Sequence, residues 1–507
     1  MRACRTLNRL NRRNFLGLFG LSASALALSR RAHGLADAAP DLTQDTNRPE
    51  YHFLAPRSWM NDPNGPVWFN GKYHIFYQWS PYSVTGGPPH WGHAVSTDMV
   101  HWHHLPIAIA PTPDTADRDG CWTGSAVVRD GVPTVIYTGV VHDDAAKGTD
   151  KEWRQAQMLA TAEDDGLQHW KKLPGPVVPA PPEGMAVTGF RDPCPWREAD
   201  GWYLIVGSGE RDKGGCVLLY RSQDLRHWEY LHPLAHGART GNPAPDSVDR
   251  GDMWECPDFF EVNGQHCLFF SSENKVSWAT GDYDKETHRF TIKRTGLVDQ
   301  GGIAYYAPKG FYAADGRRIL WGWVRETRSQ QAFAASGWAG AITLPRVLTI
   351  GQQGQLEINP AVEVEKLRGE EQRVTLKPGT PFRQKLTTLR QELRIPMNLL
   401  TPGAVTVRLL AGGSKAWELI VDVAGNAVRC GDVSFPLPGL PWPRPTLRIF
   451  LDGSILESFI GGREALTSRV YGLKPGETEI EVSLSGPKSV ALSLWPLDAI
   501  SADRLTT

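Results

Sequence analysis

Asn61-Asp62-Pro63-Asn64-Gly65-Pro66-Val67-Trp68-Phe69-Asn70-Gly71, followed by Lys72-Tyr73-His74-Ile75-Phe76-Tyr77, decides the fold of this 507-residue chain. Its latter part recurs. An apolar stretch, a Gly-bearing turn and a run of β-branched and aromatic residues reads as two strands joined tightly. The pattern returns from Gly124 through Asp130-Gly131 to Tyr137-Thr138, and from Pro193 through Asp200-Gly201 to Val206-Gly207. It returns again from Pro257 through Asn263-Gly264 to Phe270, and from Pro308 through Asp315-Gly316 to Trp323. Counting the run from Pro66, five copies start about 50 to 70 residues apart. A second echo follows several of them: Asp98-Met99-Val100-His101-Trp102, Leu167-Gln168-His169-Trp170, Asp224-Leu225-Arg226-His227-Trp228 and, more loosely, His288-Arg289-Phe290. Each is expected to end a sheet. Several strands per unit at this period, without helical periodicity, predict an all-β five-bladed β-propeller.

The repeat stops after Leu344-Pro345-Arg346-Val347, and Gly351-Gln352-Gln353-Gly354 opens a polar stretch through Asn359-Pro360. Beyond it, Val405–Leu409, Leu447–Leu451 and Glu479–Val482 alternate with period two, the signature of a C-terminal β-sandwich. The expected organisation is therefore a propeller over 39–350, a linker over 351–365 and a sandwich over 366–507.

Ahead of the propeller, Asn11-Arg12-Arg13-Asn14-Phe15-Leu16 precedes an apolar stretch, Gly17 to Leu28, that is too short to span a bilayer. Residues 1–38 thus read as a twin-arginine signal peptide, predicting an exported periplasmic or extracellular protein with no stable membrane insertion after processing. That segment holds seven Arg and one Asp, so the remainder carries 47 basic and 54 acidic residues, a net of about −7. No basic stripe is left for nucleic acid. The 10% aromatic and 21% charged composition, with 19 Trp, suits a folded, turn-rich β protein with a sugar-friendly surface. Seven Cys at irregular spacing, with no Cys-x-x-Cys pair, indicate neither a zinc site nor a disulfide framework. Oligomeric state has no residue-level signal.

Three acids stand in similar settings at the edges of different repeats: Asp62 in the opening stretch, Asp192 in Arg191-Asp192-Pro193, and Glu255 in Trp254-Glu255-Cys256-Pro257. Asn, Asp, Pro and Gly favour turns, so Asp62 is expected to be exposed where the chain leaves a strand. In a propeller such positions converge on the axis. Retaining glycoside hydrolysis needs a nucleophilic carboxylate and a protonated partner about 5 Å apart. Asp62, hydrogen-bonded by its surroundings, fits the nucleophile. Glu255, flanked by apolar Trp254 and Cys256, is expected to hold a proton and fits the acid/base. Asp192, oriented by Arg191, is left to stabilise the transition state through sugar hydroxyls.

These residues resemble glycoside hydrolase family 32, the invertases and fructan hydrolases, over nearly all of the mature chain. Trp59 to Gly65, Phe190-Arg191-Asp192-Pro193 and Glu255-Cys256-Pro257 are similar to the family's three signatures, in order. The resemblance implies the same three catalytic roles, a five-bladed propeller with a sandwich, and Trp59, Asn61, Gln78, Trp122, Thr123 and Arg191 as sugar contacts. Further similar stretches include Leu451-Asp452-Gly453-Ser454 and Leu466-Thr467-Ser468-Arg469. The implied activity is release of a terminal non-reducing β-D-fructofuranosyl residue, with sucrose as first-choice substrate, no cofactor and no metal. Exo-acting hydrolysis of levan or inulin, fructosyl transfer and, in a different class, non-catalytic carbohydrate binding are the alternatives. Two positions depart from the family's pattern: Gly86 replaces a usual Trp, and Thr123 a usual Ser.

Overall fold

The computed structural model describes residues 40–147, 152–237, 251–398, 403–437 and 442–502. The expected leader lies outside the described residues. From Ser58 to Pro360 the chain forms five sheets, built as successive antiparallel meanders. Their first strands are Ser58–Phe69, Gly120–Arg129, Val187–Glu198, Glu255–Val262 and Tyr305–Tyr312. Each packs on the first strand of the next sheet, and the fifth packs back on the first, closing a ring around one axis. This is the expected propeller. Three of its recurring turns, Asn70-Gly71, Asp130-Gly131 and Asn263-Gly264, hold both residues at positive φ, the geometry that a tight hairpin demands.

Two short pairings close the ring. Trp338–Ala339 runs parallel to Ser58–Trp59 of blade one, while Ala341–Ile342 pairs with Trp323–Val324 of blade five. Gly340 turns between them at φ +80°, and a Cβ there would meet the Met60 carbonyl at 2.1 Å. Glycine is required at this seam.

The Asp-to-Trp echoes do not end sheets. In blades one to three they turn the chain from the third strand into the outermost one. Met99, Leu167 and Leu225 each adopt positive φ, and Trp102, Trp170 and Trp228 each donate their indole N–H to that residue's carbonyl at 2.8–3.1 Å. Residues 351–365, expected as a linker, are another departure. Arg346–Ile350 and Leu356–Pro360 form the outer hairpin of blade five, and a 3₁₀ helix, Val362–Leu367, follows. The Gly- and Gln-rich stretch is the turn of that hairpin, with Gly354 at φ +78°.

Two six-stranded antiparallel sheets then face each other as a sandwich. Val405, Val407, Leu409, Leu419, Val421, Ile480 and Val482 alternate into its core. The strand Thr446–Asp452 breaks the alternation because both of its faces are covered. Leu447, Ile449 and Leu451 enter the sandwich core, whereas Phe450 packs with Phe459 and Trp495 against propeller residues including Tyr305 and Leu320.

At that interface lies a buried charge network. Arg346 is 0% exposed, donates to Glu457 through Nε and Nη2 at 3.0 and 2.6 Å, to Asp299 at 2.8 Å and to Thr467 at 2.8 Å. His52 joins Asp452 through Nδ1 and Glu457 through Nε2, both at 2.9 Å. Asp452 also accepts the backbone N–H groups of Glu50, Tyr51 and His52. Two of the sandwich's family-like stretches therefore serve to dock it on the propeller. Burial alone would push the His52 imidazole down, but its bonds to Asp452 and Glu457 hold it above its ordinary value. A raised value means that this stabilisation is complete below pH ~6.5 and fades as pH rises through the folded value. Thermal melts of His52→Gln against wild type are expected to differ most near pH 6 and to converge towards pH 9.

Candidate active site

Each first strand carries the same irregularity, two residues opposing one on its neighbour. The bulged pairs are Asn61-Asp62, Trp122-Thr123, Asp192-Pro193, Cys256-Pro257 and Ala307-Pro308. A bulge bends the strand and re-aims its side chains. Around a ring, five of them point one set of groups at one mouth. Asp62 therefore does not leave the strand on a turn. Its residues lie within Ser58–Phe69, where Asn61-Asp62 and, further on, Gly65-Pro66 are bulged, and Asp62 is 8% exposed. Bulges need the same positive φ and missing N–H that turns need, so turn-forming residues serve both.

The expected contacts form a directed hydrogen-bond circuit around Asp62. Trp59 Nε1 donates to Asn61 Oδ1 at 3.1 Å, and the Asn61 amide donates to Gln78 Oε1 at 3.0 Å and to Asp62 Oδ1 at 3.1 Å. Gln78 donates in turn to Thr123, whose hydroxyl donates to Asp62 Oδ2 at 2.5 Å. Every bond points towards the carboxylate. Trp122 lies beneath the Arg191 guanidinium, 5.9 Å from its ring centre, and is only half-buried.

Asp192, 3% exposed at φ +64°, takes the Cys256 backbone N–H on Oδ2 at 2.8 Å, while its own N–H is held by Thr138 Oγ1 at 2.8 Å. The Cys256 thiol spans two acids, 3.4 Å from Asp62 Oδ2 and 3.5 Å from Asp192 Oδ2. Glu255 sits across from them. Arg191 Nη2 donates to its Oε1, and the Tyr306 hydroxyl donates to its Oε2 at 2.6 Å. Its side chain is 23% exposed. The apolar flank expected around it is absent, because neighbours along a strand point to opposite faces. Trp254 stacks on Phe270 at 3.9 Å on the buried side, and Cys256 bends towards the two aspartates.

Burial raises Asp62, the bonds from Thr123, Asn61 and Cys256 counter it, and the Glu255 charge adds to the rise. Hydrogen bonding thus moderates the carboxyl without outweighing burial. Asp192 is pushed up to about 6, again by burial first, with Arg191 opposing and the charges of Asp62 and Glu255 adding. Three carboxyls share one cluster and titrate as a set.

Sequence reasoning missed Cys256, Tyr306 and Arg325. Arg325 lies 5.2 Å from the Tyr306 ring centre and 5.3 Å from that of Trp323, and donates to Asn274 at 2.7 Å. Aligning the copies on their bulges would have placed Tyr306 in register with Arg191 and Glu255. The Gly86 departure is also structural: Gly86 and Gly87 adopt φ +120° and +153°, a path that side-chain-bearing residues rarely follow. On the same loop Tyr82 is 84% exposed, its ring set edge-on against His90.

The family model for the glycosyl hydrolases family 32 N-terminal domain matches residues 52–360, and that for the C-terminal domain matches 429–496. The chain belongs to glycoside hydrolase family 32. A sucrose-6-phosphate hydrolase of Escherichia coli is 37% identical, over 92% of this chain and 99% of the relative. A raffinose invertase of Escherichia coli is 38% identical over 83% of this chain and 89% of the relative. Among solved structures, a Bombyx mori β-fructofuranosidase in complex with sucrose superposes with a TM-score of 0.76 at 29% identity, covering 90% of this chain and 95% of that one. This family 32 member is a glycoside hydrolase of propeller-and-sandwich architecture.

Burial of an ionised Asp192 has a stability consequence. Its folded value near 6 exceeds an unfolded value of ~3.9, so ionisation destabilises the fold progressively between those two pH values. Asp192→Asn mimics the neutral acid. It is expected to melt above wild type at pH 8, by up to ~3 kcal/mol of stability, with the gain gone below pH 4 and turnover severely reduced.

Proposed function

We propose that this enzyme is a β-fructofuranosidase that hydrolyses sucrose with retention of configuration, using Asp62 as nucleophile, Glu255 as acid/base and Asp192 as transition-state stabiliser. The unequal wiring of the three carboxyls carries the assignment. Asp62 receives only donors and is nearly buried, which suits a carboxylate aimed at one carbon. Glu255 is the open member, held by a cation and a phenol, where a leaving oxygen or a water can reach it. Asp192 is held by the Cys256 N–H, with the Arg191 guanidinium 3.9 Å away, which suits a fixed acceptor for sugar hydroxyls as oxocarbenium character develops.

Repulsion within the cluster disfavours ionising all three acids at once, so a proton is retained towards neutral pH. In the first step Asp62 Oδ attacks the fructosyl anomeric carbon as the bond to the glucosyl oxygen breaks, and Glu255 gives that oxygen its proton. In the second, Glu255 takes a proton from water, the hydroxide oxygen attacks the same carbon, and the Asp62 ester opens to release fructose.

The named activities of the relatives and the sucrose-bound Bombyx mori enzyme support sucrose. Unphosphorylated sucrose is the form proposed, because among the described residues Arg191 is already paired with Glu255 and Arg325 donates to Asn274. Export through the twin-arginine leader is part of the same proposal. Arg12-Arg13→Lys-Lys is expected to leave the enzyme inside the cell, by fractionation.

Asp62→Asn is expected to fold and to lose turnover, and wild-type rates in that variant would remove the nucleophile assignment. Glu255→Gln is expected to lose on the order of 10²- to 10⁴-fold on sucrose, and far less on a fructoside with a good leaving group. Chromatography after incubation with sucrose is expected to give glucose and fructose in equal amounts. Excess glucose with growing oligosaccharides would make the enzyme a transferase.

A further inference from the structure

At the opposite end of the propeller axis the same five strands run out into a cavity of about 510 Å³. Its wall comes from residues 66–68, 125–128, 194–198, 258–261 and 310–312, the continuations of the strands that carry the bulges. Six residues separate Asp62 from Trp68, so at ~3.3 Å per residue the cavity lies at most about 20 Å from the carboxyl cluster.

Its chemistry is specific. Trp68 and Trp196 are half-buried and Tyr312 is 47% exposed, so three blades each present an aromatic ring. Deeper in, Arg318 and Asp258 are both buried, with Arg318 Nη2 donating to the two Asp258 oxygens at 2.7 and 2.6 Å. The guanidinium lies over Phe260 at 4.3 Å and Tyr312 at 4.9 Å, and its buried Nε–H has no acceptor. Arg197, Lys285 and Arg318 face Glu198, Asp258 and Glu261, and His266, held below its ordinary value by burial, adds no charge at neutral pH. The lining therefore favours neither anion nor cation. Aromatic faces accept the C–H face of a sugar ring, and the lining side chains of Arg197, Glu198, Glu261 and Lys285 offer donors and acceptors to its hydroxyls. The volume falls within the ~300–1,000 Å³ of small-molecule sites.

We propose that this cavity is a second carbohydrate-binding site, taking a neutral mono- or disaccharide. It stands independently of the catalytic assignment. The test is equilibrium dialysis of the full-length Asp62→Asn enzyme with radiolabelled sucrose across the millimolar range. Two equivalents per chain are expected. Tyr312→Ala, which removes one aromatic face, and Val128→Trp, which fills the cavity from its wall, should each reduce binding to one equivalent. Circular dichroism melts monitor folding, and with Asp62 intact both variants should keep kcat within about twofold. A single equivalent unchanged by both variants, or two equivalents unchanged by both, would overturn the proposal. A single equivalent abolished by both would uphold the cavity and overturn sucrose binding at the carboxyl mouth.

Discussion

Two residues must fit opposite one on the innermost strand of every blade, and the site depends on that constraint. A regular strand would send alternate side chains into the gaps between blades. The bulge instead turns a consecutive pair, and the residue before it, towards the mouth. Proline at Pro193, Pro257 and Pro308 costs the ladder nothing there, since the bulged residue has no bond to donate. Positive φ at Asp192, Cys256 and Ala307 is strain of ~1–3 kcal/mol per residue, held by the surrounding sheet. The chemistry and the strain occupy the same residues.

Electrostatics follow from that geometry. The first strands of blades one, three and four bring three carboxyls together at the axis, largely out of water, and the fold answers with asymmetric neighbours. Asp62 gets a converging set of neutral donors, Asp192 an adjacent guanidinium and a backbone N–H, and Glu255 a cation plus a phenol. Neutral donors temper a charge without cancelling it, whereas Arg191 compensates two acids at once. Cys256 belongs to this design, since a thiol is small enough to sit between two carboxylates and donates only weakly.

Much of this was legible in the sequence because repetition is a local signal. Five turn-and-strand copies gave the blades, and period-two alternation gave the sandwich. The failures have physical causes. Asn61 to Gly65 reads as a turn because bulges and turns select the same residues, so Asp62 was expected to be exposed. Glu255 was expected among apolar neighbours because adjacency in sequence was read as adjacency in space, which a strand forbids. Residues 351–365 read as a linker because a polar hairpin turn and a connector share a composition. Tyr306 and Cys256 were missed because neither is an acid, although Cys256 is a bulged residue and Tyr306 immediately precedes a bulge.

The sandwich also bears on the site, through the seam where the propeller ring must close. A closed ring of blades is only as rigid as its last junction, and here that junction is two short pairings around Gly340. The sandwich grips both sides of it. Glu457 accepts the Leu344 N–H just after the seam and holds His52 ahead of blade one, while Arg469 donates to the carbonyls of Val324 and Arg325 at the end of blade five. Blade one contributes Asn61 and Asp62, and blade five contributes Tyr306 beside Arg325. An apolar interface of equal area would hold the domains together, but it would tolerate sliding. Directional bonds from Arg346 to Glu457 and Thr467, and from Thr467 to Asp299, are lost abruptly with displacement, leaving the buried Glu457 charge unpaired. The domain outside the mouth thereby sets how closely the groups on either side of the seam can approach the same sugar.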